Sequence, residues 1–152
     1  RWPNLNKKVS DKPGTVHLQI VRLGQLALVC CPGEFTTIAG QRVVDTVKQT
    51  FTTQTSMNQV WLASYCNDYM GYVTTYEEYQ EQAYEGGHTL FGQWTLAACQ
   101  SKFKLLAEQL LLDKNQRNYD QVTRPKPIPE QELAKRSNYG NLKTATSQGE
   151  AV

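Results

Sequence analysis

Leu26-Ala-Leu-Val-Cys-Cys31 is apolar on both faces and stops at Pro32-Gly33. A run this short and this hydrophobic, closed by turn residues, reads as a central strand with neither side turned to water. Thr36 or Thr37 then offers a cap for a helix whose apolar positions Val44, Val47 and Phe51 keep helical spacing. A second buried run follows at Gln59-Val-Trp-Leu-Ala-Ser-Tyr65, so strand, helix and strand make a β-α-β unit. The fold class this predicts is α/β: a mixed sheet with flanking helices. Upstream, Val16 to Leu23 alternates in part, and Gly24-Gln25 can turn it into the central strand as a hairpin.

Downstream, Thr75 and Glu78 have the spacing of a capping box that opens a short helix, which Gly86-Gly87 then interrupts. Leu96, Cys99, Phe103, Leu106 and Leu110 form one apolar stripe, predicting a long helix from about Trp94 to Leu112. Residues 1–15 are polar, with Pro3, Pro13 and Gly14, and read as an entry loop; residues 123–147 read as a connector.

Composition excludes some function classes. Lys+Arg 16 against Asp+Glu 14 leaves a net charge of +2, too little for a nucleic-acid footprint. No apolar run is long enough to span a membrane, and the N-terminus lacks a signal-peptide core, so any targeting segment is expected outside these 152 residues. Cys30, Cys31, Cys66 and Cys99 show no framework spacing and read as packed thiols, with Cys30 and Cys31 pointing to opposite faces of their strand.

Ligands of open α/β sheets gather at the carboxyl ends of strands, and two polar loops leave the two buried strands there. Glu34 lies in the first and Tyr72 at the end of the second. On physical chemistry alone, Glu34 suits a helix N-terminus and Tyr72 a core tyrosine, since a neutral phenol is a poor metal ligand. His17 reads as a strand histidine, and His88, after the Gly86-Gly87 turn, reads more readily as a turn residue than as part of the cleft; neither has metal-ligand spacing.

The block Cys31-Pro-Gly-Glu-Phe-Thr-Thr-Ile-Ala-Gly40, a basic position in the helix after it, then Gly71-Tyr-Val-Thr-Thr-Tyr-Glu-Glu-Tyr-Gln80 and Tyr84-Glu-Gly-Gly-His-Thr-Leu-Phe-Gly92 together resemble the neutral, zinc-dependent ceramidases. The resemblance covers roughly Val16 to Leu112 and implies that residues 16–122 are the C-terminal part of a larger catalytic domain. It further implies that 123–147 link to an immunoglobulin-like domain beginning at 148–152. By the same resemblance Glu34 and Tyr72 are zinc ligands, and Tyr84 is a catalytic phenol at the scissile amide. The substrate implied is ceramide, cut to sphingosine and a fatty acid. Two histidine ligands and an active-site serine would come from the remainder of the catalytic domain. A secreted or secretory-pathway protein at a membrane surface is implied, inactive as this chain alone. The alternative from the residues is a non-catalytic subunit or interaction module that reuses the scaffold. Glu77, Glu78 and Glu85 read as capping and surface carboxylates.

Overall fold

The computed structural model describes residues 15–51, 57–120, 122–123 and 131. The expected entry loop apart from Thr15, nearly all of the connector, and the expected start of a further domain lie outside the described residues.

Strands β1 (Gln19–Leu23) and β2 (Leu26–Cys30) form the expected hairpin. They pair antiparallel from Leu23↔Leu26 to Gln19↔Cys30. Gly24 takes φ +61 in the two-residue turn, a conformation open to glycine at little cost. Residues 16–18 stay outside the ladder, so β1 is shorter than the expected run from Val16, and His17 sits exposed ahead of it rather than on a strand.

From β2 the chain passes through a two-residue strand β3 (Glu34–Phe35) into helix α1 (Thr37–Phe51) and returns in β4 (Gln59–Ala63). β4 runs parallel to β2, with Ala27↔Val60 and Val29↔Leu62 in register. The sheet order β1-β2-β4, one antiparallel and one parallel pair, is the mixed sheet expected. The strand ends at Ala63 rather than Tyr65 because Tyr65 swings to φ 61, which no ladder accommodates.

Short β5 (Tyr72–Val73) leads into α2 (Tyr76–Glu81), α3 (Tyr84–Gly87) and the long α4 (Thr95–Leu111). The break that Gly86-Gly87 was expected to make falls earlier, at Gln82 with φ 49, and both glycines lie inside α3. No described helix is long and apolar enough to cross a membrane.

Helices α1 and α4 share one core with one face of the three-stranded sheet. Ala27, Val29 and Cys31 meet Val43, Val47 and Phe51 of α1 and Leu96, Cys99, Phe103 and Ala107 of α4. Of the expected α4 stripe, Leu106 and Leu110 are half-buried, and Ala107 takes the innermost place between them. A small side chain there lets a helix lie close to its neighbours. The fully buried Phe103 is the largest α4 contribution, and burial of such a ring stabilises by roughly 1.5–3 kcal/mol.

Cys30 and Cys31 point to opposite faces as expected: Cys31 joins the core near Cys99, while Cys30 lies beside Cys66. All four thiols are free. Burial pushes the Cys99 thiol up to about 11 and Cys31 further, which makes both poor nucleophiles.

Candidate functional site

Two loops leave the carboxyl ends of the parallel strands β2 and β4, and backbone hydrogen bonds lace them together. Cys66 N–H donates to Cys31 O at 2.9 Å, Tyr65 N–H to Gly33 O at 3.2 Å and Met70 N–H to Pro32 O at 2.7 Å. Gly33 has to be glycine here, because a Cβ would stand 2.6 Å from the Gly71 carbonyl oxygen. The lacing brings β3 and β5 together as a parallel pair, with Glu34 opposite Tyr72 and Phe35 opposite Val73. Glu34 is therefore in a strand and not in a plain connection, and the two candidate metal ligands are register partners.

The side chains on that pair converge. Tyr69 Oη donates to Glu34 Oε1 at 2.5 Å. The Tyr72 and Tyr65 phenols also act on that carboxylate. Burial raises the Glu34 pKa, but hydrogen bonds from Tyr69, Tyr72 and Tyr65, helped by His88, outweigh it and hold the carboxyl below its usual value. The reciprocal effect appears on the phenols. The hydrogen bond to Glu34, then burial, raises Tyr72; burial, then Glu34, raises Tyr69 and Tyr65.

Tyr84, on the first turn of α3, meets Tyr72 edge-on with ring centroids 5.5 Å apart, and His88 lies 4.6 Å from Tyr84 and 6.2 Å from Tyr72. His88 Nδ1 is 2.8 Å from the Tyr84 carbonyl oxygen, which fixes the imidazole over the turn. The three residues singled out as site residues, Glu34, Tyr72 and Tyr84, thus share one crevice with His88, while His17 lies elsewhere, in a groove of about 560 Å³ between β1 and α4.

Around this centre the two sequence blocks lock to each other. Thr36 Oγ1 accepts from Ala39 N–H at 3.3 Å at the start of α1 and donates to Glu78 Oε2 at 2.6 Å. Glu78 also closes the expected capping box: it accepts from Thr75 N–H at 2.8 Å while its own N–H donates to Thr75 Oγ1 at 3.1 Å. One carboxylate therefore serves the beginnings of two helices. Arg42, the basic position in α1, reaches Glu77 at 2.9 Å and holds that carboxyl down at about 2. Beneath β5, buried Thr74 and Thr89 hydroxyls pair at 3.1 Å. A groove of about 520 Å³ runs beside the site, lined by Phe35, Tyr72, Glu78 and Glu85 among others.

Sequence reasoning missed Tyr65 and Tyr69, whose rings stack with an interplanar angle of 2° and centroids 6.3 Å apart. The available signal was their i, i+4 spacing directly after a buried strand, close to the candidate ligand Tyr72. As a metal site the arrangement is a partial fit. Glu34 offers a hard anionic oxygen and Tyr72 a phenol facing it, yet a zinc site needs three or four protein ligands. Among the described residues, no group of three His, Cys, Asp or Glu could hold a metal.

The family model described as "Neutral/alkaline non-lysosomal ceramidase, N-terminal" matches residues 3–101. The neutral ceramidase of Oryza sativa subsp. japonica is 44% identical over 106 residues, 67% of this chain and 14% of that protein. Neutral ceramidase 3 of Arabidopsis thaliana is 42% identical over 119 residues, 77% of this chain and 15% of that protein. The crystal structure of the neutral ceramidase from Pseudomonas aeruginosa superposes with a TM-score of 0.70 at 36% identity, covering 76% of this chain and 18% of that one. The chain thus spans only a small part of the length of these relatives. The match is to the family's N-terminal region, not to the C-terminal part that the resemblance implied. With that match covering well over half of its residues, the chain belongs to the neutral/alkaline non-lysosomal ceramidase family.

Proposed function

We propose that this chain supplies part of the active site of a zinc-dependent amidohydrolase that cleaves the N-acyl bond of ceramide to sphingosine and a fatty acid. The observation that carries the reading is the convergence of Glu34, Tyr72 and Tyr84 in one crevice of a ceramidase-family chain. Glu34 and Tyr72 would hold zinc, which when bound supplies Lewis-acid polarisation of the scissile carbonyl. Tyr69 and Tyr65 orient the Glu34 carboxylate by hydrogen bonding to it. The Tyr84 phenol is a donor for the negative charge that develops on the amide oxygen. His88 packs against the Tyr84 ring.

On this reading the two histidine ligands come from another part of a family catalytic domain. The acyl substrate is presented at a membrane surface, and the protein works in the secretory pathway or outside the cell. These partners rest on the family resemblance, and the half-set of metal donors supports the need for more ligands.

The deciding experiment measures zinc per chain by elemental mass spectrometry, with ceramide hydrolysis alongside, on protein isolated from its source. One tightly held zinc that Glu34→Ala removes is the expected result. Normal zinc content in Glu34→Ala would sink the ligand assignment. Absence of both zinc and hydrolysis in the source protein would favour the interaction-module alternative.

A further inference from the structure

Among the described residues, the three-stranded sheet has helices on one side only. Its core face carries Ile20, Ala27, Val29, Val60 and Leu62, all packed on or into the cluster shared with α1 and α4. Side chains alternate along a strand, so the residues between them point the other way. Register places Val21, Leu28 and Trp61 side by side across the three strands, with Leu23 opposite Leu26 one pair along. This second face is mostly apolar, with Gln19 and Gln59 at its ends, and it stands in water: Trp61 is 59% and Leu23 61% exposed, and Val21, Leu26 and Leu28 are only half-buried.

A solvated face of an α/β sheet is ordinarily polar, whereas a sheet covered on both sides reads as apolar throughout. At the carboxyl end of β2 the face is already roofed. Cys30 is buried beside Cys66, and Asn67 Nδ2 reaches Gln19 Oε1 at 3.5 Å. That roof is the loop carrying Tyr65 and Tyr69, so the open apolar face runs directly into the polar crevice around Glu34.

We infer that the Val21–Leu28–Trp61 face is the seam on which the rest of a ceramidase-family catalytic domain packs. The relatives match this chain over only 14–18% of their own length, and in the solved ones the matched region lies within a single much longer chain. That additional chain is the occupant, and a strip of three five-residue strands, roughly 16 by 14 Å, suits one packed helix or a short strand layer. Its arrival at this face brings new residues to the crevice edge, where Glu34 and Tyr72 need further ligands. The inference rests on family membership and extends the partner reading of the proposed function by giving that partner a surface.

The test is hydroxyl-radical footprinting, read by mass spectrometry, on the recombinant 152-residue chain and on the protein as isolated from its source. Phe103, fully buried in the core, should remain unmodified in both and reports that the domain is folded. Trp61 and Leu23 should be modified readily in the recombinant chain and about fivefold or more slowly in the source protein, whose mass should match that of the longer relatives. Protection should survive removal of metal by a chelator, because apolar packing and not zinc covers the face. Equal modification of Trp61 in both preparations would overturn the inference. So would protection in the recombinant chain accompanied by a dimer mass, which would make a second copy the occupant. Protected Trp61 in a protein without zinc or ceramide hydrolysis would sink the proposed function and leave the seam standing. Zinc and hydrolysis with Trp61 open would do the reverse.

Discussion

Replacing Gly33 with alanine probes a close backbone approach on which the site depends. The added methyl would lie 2.6 Å from the Gly71 carbonyl oxygen and 3.1 Å from Met70 Cγ, where ordinary contact begins at 3.4 Å. Because the nearer obstacle is backbone, no side chain can swing aside, and the two loops must part by roughly 0.8 Å. That displacement acts on the Glu34 N–H to Gly71 O bond, 2.9 Å long, and on Met70 N–H to Pro32 O, 2.7 Å long. Overpacking costs about 1–3 kcal/mol and loss of one backbone hydrogen bond about 0.5–1.5 kcal/mol. The stiffer unfolded chain of the alanine variant returns about 0.4–1 kcal/mol. The net expectation is a loss of about 2–3 kcal/mol, or about 5–10 °C in Tm for a chain of this size. Thermal melts followed by far-ultraviolet circular dichroism measure it directly, with Gly24→Ala as the comparison. Gly24 has nothing within 4 Å of an added Cβ and only its φ of +61 to oppose the change, so about 1 kcal/mol is expected there. If Gly33→Ala melts within about 1–2 °C of the parent, or costs no more than Gly24→Ala, the two loops do not stand in the contact described.

Glu78→Ala should destabilise by about 2–3 kcal/mol in chemical denaturation, since it strips the partner from Thr36 Oγ1 and from Thr75 N–H together. A loss no larger than that of an exposed surface glutamate would refute the double-capping role. Phe103→Ala should cost about 3–5 kcal/mol by the same assay, because the ring is fully buried between helix and sheet; a loss near 1 kcal/mol would mean that the core can collapse around the gap. Glu34 makes a pH-dependent contribution whose sign follows from its lowered pKa. The stabilisation is present above the ordinary value of 4.5 and is lost as pH falls through the lower folded value. Carboxyl NMR titration of the metal-free chain should place Glu34 below 4.5 and move it upward in Tyr69→Phe; a parent value at or above 4.5 would contradict the hydrogen-bonded cluster.

What was legible in the sequence was what neighbours along the chain decide. The Gly24-Gln25 hairpin, the helix carrying Val44, Val47 and Phe51, the Thr75–Glu78 capping box and the stripe through Leu96, Cys99 and Phe103 each depend on contacts within a few residues, so their periodicity or spacing is written locally. The sequence blocks also marked Glu34, Tyr72 and Tyr84 before any geometry was known. Only the tertiary structure decided that Glu34 and Tyr72 stand opposite each other in a parallel pair, that Tyr65 and Tyr69 turn back onto the same carboxylate, and that Glu78 reaches Thr36 across 42 residues of chain. Those partners are set by how β2 and β4 lie side by side and by the close approach of Gly33 to Gly71, and no local pattern encodes a distance between residues that meet only after the chain has folded.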